Sequence, residues 1–137
     1  MTGTPGNTPP LPSRMTEDLR FVPVDTGEDY AREASGSVQY VAVANGRSGL
    51  IGYLWVADAD GAAGWKPRPA AGEDAYNGSM AWIRRLREAK ARGLVPSRAL
   101  EELALAPPPE DPVAGGVVDG SLAQVPDLAA LTELAAS

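Results

Sequence analysis

Length, composition and charge limit what this chain can do. Its 137 residues predict one domain, and the lack of cysteine and histidine removes disulfides, thiolate nucleophiles, the commonest metal ligand and the commonest general base. This argues against triad hydrolases and typical zinc enzymes, so no metal site or cofactor is expected. The net charge of −6 is uneven: six of the 12 basic residues lie at positions 84–98, whereas positions 99–137 carry acidic residues and no basic ones.

The N-terminal residues divide into a tail and a strand candidate. Positions 1–14 are rich in threonine, proline and glycine and bury too little apolar surface to offset the entropy of ordering, so a disordered tail is expected. Met15 follows directly and is a candidate alternative translation start. The run Leu19–Val24 predicts a short strand, and Pro23, which has no N–H, restricts that strand to a sheet edge.

The segment 38–56 predicts a β-hairpin around which the rest of the fold is organised. Two apolar runs flank Asn45-Gly46, a dipeptide that tolerates the positive φ angles of tight hairpin turns. A two-residue loop would pair Ala44 with Arg47, and a four-residue loop would pair Ala44 with Gly49. Because a slip of one residue moves each side chain to the opposite face, the sequence leaves the register open. An isolated hairpin is marginally stable in water, so a helix or a third strand must cover it.

A loop and a helix are predicted to follow the hairpin. Positions 57–72, composed mainly of alanine, glycine, aspartate and proline, read as a loop, with Trp65 interpreted as a lid over the core in preference to a ligand-stacking platform. Positions 73–92 predict a helix that begins with two acids and ends before Gly93, where a left-handed cap is needed. Gly78 is expected to lower the stability of this helix, because glycine is a poor helix former. The stripe expected to lie on the hairpin consists of Ala75, Ser79, Trp82, Leu86 and Ala89.

The remaining chain predicts a second helix, a linker and an amphipathic end. Ser97 is a candidate cap for a short helix at 98–106, which completes a small α+β domain at 15–106. The proline- and glycine-rich stretch 107–120 reads as a linker. Positions 121–137 predict an amphipathic segment with Asp127 as its helix cap. That segment must pack on the core, bind a partner or fray, because alone it is too short to be stable.

Residues 38–93 resemble the central region of the GNAT-type acyltransferases. The resemblance lies in a strand, turn and strand of the type ANGRSGLIGYLWV, followed by a glycine-containing loop that opens a helix ending in REAKARG. It implies an acyl-CoA-binding or acyltransferase-like domain in which Gly78 and Ser79 bind the pyrophosphate at the helix N-terminus. The family's pyrophosphate motif is not intact, because the acids Glu73 and Asp74 precede this position.

The favoured function is a non-enzymatic protein-interaction or accessory module of a bacterial, cytoplasmic protein. No run approaches the ~20 apolar residues of a membrane span, and no signal peptide is visible. The amphipathic end would lie in a groove of a protein partner, with Leu128, Leu131 and Leu134 as anchors. The acyl-CoA reading is one alternative. The other is nucleic-acid contact through the basic segment 84–98, whose candidate residues are Arg84, Arg85 and Arg87.

Overall fold

The computed structural model describes residues 29–137, in which helices cover both faces of a five-stranded antiparallel sheet. The strands are β1 Val38–Asn45, β2 Gly49–Ala57, β3 Ala62–Pro67, β4 Gly116–Val117 and β5 Ala123–Val125. The helices are α1 Glu73–Asn77, α2 Ser79–Ala91, α3 Pro96–Leu105 and α4 Leu128–Ala136. The sheet order is β3-β2-β1-β4, and β5 also pairs with β1. The predicted α+β class is confirmed. The predictions for 1–14, Met15 and Leu19–Val24 lie outside the described residues.

The hairpin forms with a loop length that the sequence did not suggest. Asn45 pairs with Gly49 and Ala44 with Leu50, so the loop has three residues, and the register shifts after Val43. Neither of the two pairings considered from the sequence occurs. The reason is that the residue with positive φ is Gly49 (68°), at the end of the loop. The side-chain oxygen of Asn45 closes the turn by accepting hydrogen bonds from the backbone N–H groups of Arg47 and Ser48.

Strand β3 lies inside the stretch 57–72 that was predicted to be a loop, and that prediction is wrong. Alanine and glycine are weak strand formers, but Gly52 of β2 and Gly64 of β3 each make room for a tryptophan of the other strand. The indole of Trp65 lies over Gly52, and that of Trp55 lies over Gly64, where an added Cβ would be 3.1 Å from the ring. Trp65 thus packs against the core from a strand rather than from a loop, and its indole N–H donates to the Ala75 carbonyl at 2.8 Å.

The predicted helix at 73–92 is present with a one-residue interruption. Gly78 separates α1 from α2, although its backbone stays in the right-handed helical region (φ −68°, ψ −20°). A side chain has no room here, because an added Cβ would approach the Val113 carbonyl to 2.9 Å. Four of the five stripe residues are buried under the sheet, and Ser79 is half-buried. Gly93 closes α2 as expected, with a φ of 83° and with its N–H donating to the Lys90 carbonyl at 2.9 Å.

Helix α3 begins at Pro96, two residues before the predicted start at 98, and Ser97 is not its cap. The Asp58 carboxylate, which follows β2, instead accepts the Ser97 N–H at 2.8 Å and the Ser97 hydroxyl at 2.6 Å. Proline suits the first turn because it lacks the N–H that would be unpaired there. An acid from another element therefore stands at the positive end of α3 and ties it to the sheet.

The last 31 residues of the chain are part of the same fold. The stretch 107–120, predicted to be a linker, contributes β4 to the sheet and the fully buried Ala114 to the core. The stretch 121–137 contributes β5 and α4, and α4 packs on the sheet face opposite α1–α3. Asp127 caps α4 as predicted, accepting the Ala130 N–H at 2.8 Å. Of the outcomes considered for this segment, the structure shows packing on the core.

A glycine substitution tests the β2–β3 packing. Gly52→Ala would place a methyl group inside the volume of the Trp65 ring and 2.7 Å from the Lys66 carbonyl oxygen. Because ring and backbone must both move, we expect the free energy of unfolding to fall by about 1–3 kcal/mol in urea titrations. Gly46→Ala is the matched control, since nothing lies within 4 Å of its Cβ position. Equal stability of the two variants would contradict the packing described.

Two leucines of α4 test whether this helix is docked. Leu131 is 0% exposed in the second core cluster, whereas Leu134 is 36% exposed. Leu131→Ala is expected to lower the free energy of unfolding by about 2–5 kcal/mol, because it leaves a cavity between α4 and the sheet. Leu134→Ala should cost clearly less in the same denaturation measurement. Similar small losses for both variants would show that α4 does not pack on the sheet in solution.

Candidate functional site

The candidate site is a cavity at the outer edge of β3, with a volume of about 230 Å³. Its floor is the strand itself from Ala63 to Lys66. Ile83 and Leu86 of α2 line it on one side of the sheet, and Trp55 and Leu128 line it on the other. The cavity therefore lies beside the outer edge of β3, between the two helical layers. One more strand placed there would join the sheet.

The backbone of β3 directs hydrogen-bonding groups into this cavity. The Ala63 N–H donates to the Ala31 carbonyl at 3.0 Å, on the side away from β2. Because alternate residues of a strand direct their N–H and C=O to the same side, the N–H and C=O of Trp65 also point away from β2. Of residues 29–137, Ala31 is the one that pairs with this edge, and it covers the start of the strand. An edge with groups of this kind is a template for pairing with another chain.

Charged groups stand at one end of the cavity around Asp29. The Asp29 carboxylate accepts hydrogen bonds from Arg87 Nε at 2.6 Å and from an Arg32 guanidinium nitrogen at 3.3 Å. The hydrogen bond from Arg87 is the main cause that holds the pKa of Asp29 below its ordinary value, against the opposing effect of burial. The carboxylate is therefore ionised and already engaged. Lys66, half-buried on β3, adds a further positive charge to the lining.

The most strongly perturbed acid of the described residues lies outside the cavity. The buried Asp74 carboxylate accepts hydrogen bonds from Arg47 Nε at 2.8 Å, from the Ser48 hydroxyl at 2.7 Å and from the Asn45 side-chain amide at 3.0 Å. It also forms an ion pair with the Arg47 guanidinium at 2.6 Å. Hydrogen bonds from Arg47, then Ser48, then Asn45 hold its pKa far below the ordinary value. A carboxylate kept ionised in this way holds the hairpin loop on α1 and is not available as a general acid or base.

The acyl-CoA candidates Gly78 and Ser79 lie in a closed part of the structure. The Gly78 N–H donates to the Asp74 carbonyl at 3.0 Å, and the Ser79 hydroxyl donates to the Tyr76 carbonyl at 2.5 Å. The Val113 carbonyl covers Gly78 from the outside. These groups are satisfied within the protein, and the ionised Asp74 next to them is unfavourable for a phosphate.

The structure does not align the three candidate arginines for nucleic acid. Arg84 is exposed, and Arg87 binds Asp29 at the cavity. The Arg85 guanidinium lies 5.6 Å from the Trp82 ring centre and donates to the Pro107 carbonyl at 2.7 Å. Two of the three side chains are therefore engaged in holding the fold together.

The candidate partner-binding leucines of α4 separate into three environments. Leu128 is half-buried and lines the cavity, Leu131 is buried under the helix, and Leu134 is partly exposed. Sequence reasoning missed Ile83 as a member of a site, and for Trp65 it preferred a lid over the core to a binding role. One signal for Trp65 was available, namely the reciprocal spacing of tryptophan and glycine in 52–65, which indicates two strands packed closely together.

Searches for other features of known chemistry give negative results. Within 29–137 no group of three or more acids, histidines or cysteines is arranged to hold a metal ion. In the same residues, no helix combines the length and apolarity needed to cross a membrane. Comparisons with family models, with curated proteins and with solved structures find no match.

The Asp74 contacts predict a stability difference that depends on pH. Because the folded pKa lies below the ordinary value of 3.8, ionised Asp74 stabilises the fold above about pH 4, and this contribution is lost as the pH falls further. Asp74→Asn should lower the melting temperature at pH 6, and the gap from the wild type should narrow as the pH falls below 4. Asp119→Asn, at an exposed acid, is the control. A gap of constant size between pH 6 and 3 would contradict the assignment.

Proposed function

We propose that this chain is a non-enzymatic protein-interaction module that binds an extended segment of a partner protein as an added strand at the edge of β3. The observation that carries the proposal is that Trp65 lines an apolar-walled cavity from a position of β3 whose N–H and C=O, by the alternation along the strand, are directed away from β2. A residue of an extended peptide would accept the Trp65 N–H with its carbonyl oxygen and donate its own N–H to the Trp65 carbonyl, as in other strand-addition complexes. Backbone pairing of this kind supplies affinity with little dependence on sequence.

The size of the cavity favours a peptide over a small molecule. Its volume of about 230 Å³ lies below the roughly 300–1,000 Å³ that is usual for small-molecule and cofactor sites. It lies between α2 and α4, so the side chains of a strand placed there would alternate between Ile83 on one face and Leu128 on the other. A few residues of extended chain fill such a space, whereas coenzyme A would not fit inside it.

The chemistry of the lining supports binding rather than catalysis. Asp29 is held ionised by two arginines, so it has no free proton to donate and its lone pairs are engaged. Tyr30 donates its hydroxyl proton to the Leu94 carbonyl at 2.7 Å, and burial raises the pKa of this phenol. Neither group is placed as an acid or base beside an open position.

The proposal retains the class of function expected from the sequence and changes its mode. Helix-in-groove binding through Leu128, Leu131 and Leu134 would require α4 to leave the sheet and to expose the second core cluster. Strand addition at β3 needs no such opening, and it uses Leu128 where that side chain already lies. We also propose a cytoplasmic location and a bacterial origin for the chain, as expected from the sequence.

A peptide selection followed by NMR mapping tests the proposal. Random peptides displayed on phage are selected against the full chain, and enriched peptides are titrated while backbone amide resonances are recorded. We expect the Trp65 amide to shift most, with smaller shifts along β3. Ile83→Asp should weaken binding at least tenfold, because it places a charge against the bound strand. Met80→Asp is the matched control, since Met80 lies on the same helix, is 65% exposed and is outside the cavity lining.

Three outcomes would overturn the assignment of a partner segment. The first is that no peptide is enriched, or that enriched peptides shift resonances away from β3. The second is that peptides bind only a variant lacking residues 1–24, which would assign the edge to the chain's own Leu19–Val24. The third is a dimer in sedimentation experiments that Ile83→Asp dissociates and Met80→Asp does not, which would assign the edge to a second copy.

A further inference from the structure

We infer that the bound segment runs antiparallel to β3 and carries an acidic residue followed directly by two bulky apolar residues. This inference rests on the proposed function and specifies the partner that the same edge would select. It follows from three consecutive positions of β3, namely Gly64, Trp65 and Lys66, and from the side chains that flank them on the two faces of the sheet.

The direction of the segment follows from the backbone of Trp65. Both its N–H and its C=O face the cavity, and in an antiparallel pair one opposing residue satisfies both groups. A parallel strand needs two residues for the same two bonds. Pro67 offers no N–H to a strand of either direction, so the choice of direction rests on this match with a single residue and on the greater stability per residue of antiparallel pairing.

The residue opposite Trp65 is expected to be bulky and apolar. Side chains of directly opposed residues lie on the same face of a sheet, and Trp65 faces the layer of α1 and α2, with its indole bonded to Ala75. The opposing side chain would therefore lie between the Trp65 ring and the α2 residues Ile83 and Leu86 that line the cavity. A β-branched or aromatic residue fits this position because such side chains pack well against aromatic cross-strand neighbours.

The residue opposite Gly64 is also expected to be bulky and apolar, for a different reason. Gly64 has no side chain, and the Trp55 indole of the neighbouring strand lies across it. On this face Leu128 of α4 forms the wall of the cavity. A large side chain on the added strand would extend over Gly64 and make contact with both. Two consecutive apolar residues are thus required, one for each face, which is the pattern of a strand covered on both sides.

The residue opposite Lys66 is expected to be acidic. Lys66 is half-buried on the α4 face and lines the cavity, so a strand placed there would take water away from its ammonium group. A carboxylate directly opposite would offset this cost, whereas a lysine or arginine would add repulsion. Asp29, the acid of the lining, is engaged by Arg32 and Arg87, so it does not cancel this preference. In an antiparallel strand the residue opposite Lys66 precedes the two apolar ones.

Synthetic peptides test the inference with the full chain. The probes are threonine-flanked and blocked at both ends, with the central orders Glu-Val-Leu, Leu-Val-Glu, Lys-Val-Leu and Glu-Thr-Thr, and the dissociation constant is read from the Trp65 amide shift. Glu-Val-Leu should bind most tightly. We expect the change from glutamate to lysine to weaken binding by about two- to fivefold, and the loss of both apolar side chains to weaken it by more than tenfold.

Charge exchange at Lys66 separates this inference from the proposed function. Lys66→Glu should reverse the preference so that Lys-Val-Leu binds more tightly than Glu-Val-Leu, and Lys66→Gln, which keeps a polar chain, should abolish the preference. Equal binding of Glu-Val-Leu and Leu-Val-Glu at the Trp65 amide would overturn the inferred direction and order while leaving strand addition intact. A wild-type preference that survives Lys66→Gln would overturn the role of Lys66. No shift at Trp65 with these probes, while selected peptides do shift it, would overturn the inferred motif. No shift with either set would overturn the proposed function itself.

Discussion

The reciprocal packing of tryptophan on glycine between β2 and β3 is the contact on which the site depends. Trp65 lies across Gly52 on one face, and Trp55 lies across Gly64 on the other, so each strand supplies the gap that the other strand fills. Burial of a tryptophan against backbone contributes a large apolar area, which compensates for the low strand propensity of alanine and glycine. Without this contact β3 would have little reason to pair, and the sheet would end at β2 with its apolar residues uncovered.

Within residues 29–137, the part of the outer edge of β3 that has no pairing strand is short. Among the described residues, Ala31 pairs at the beginning of the strand, and Pro67 has no N–H at its end, so the middle of the strand is the part left to accept a partner. Edges of sheets are often protected by proline and by charged side chains, and Pro67 and Lys66 limit unspecific pairing here. The protection is incomplete at Trp65. A short open edge favours a short segment of defined sequence over indiscriminate sheet extension.

Sequence reasoning succeeded where the signal was local and failed where it depended on distant contacts. The hairpin and the helix with its stripe of Trp82 and Leu86 follow from local turn chemistry and from helical periodicity, and the closing role of Gly93 follows from its conformational freedom. Strand β3 has no such signal, because it is held by rings that belong to its neighbour. The two- and three-residue strands β4 and β5 are equally invisible, since they exist only through pairing with β1. The cavity joins residues near 65, 83 and 128, and no pattern along the chain records that proximity.

The C-terminal helix therefore has a different part in the protein than its leucine pattern suggested. Leu131 fixes α4 to the sheet, and this places Leu128 at the wall of the cavity three residues earlier, on the same side of the helix. Of the apolar residues of α4, Leu131 thus holds the helix in place and Leu128 forms part of the site. Because the loop around Val113 is itself tied to the hairpin by Asn45, the chain that leads to α4 is anchored before the helix begins. The edge of β3 has two walls only when the C-terminal segment is folded, so binding at this edge is coupled to the docking of the last helix.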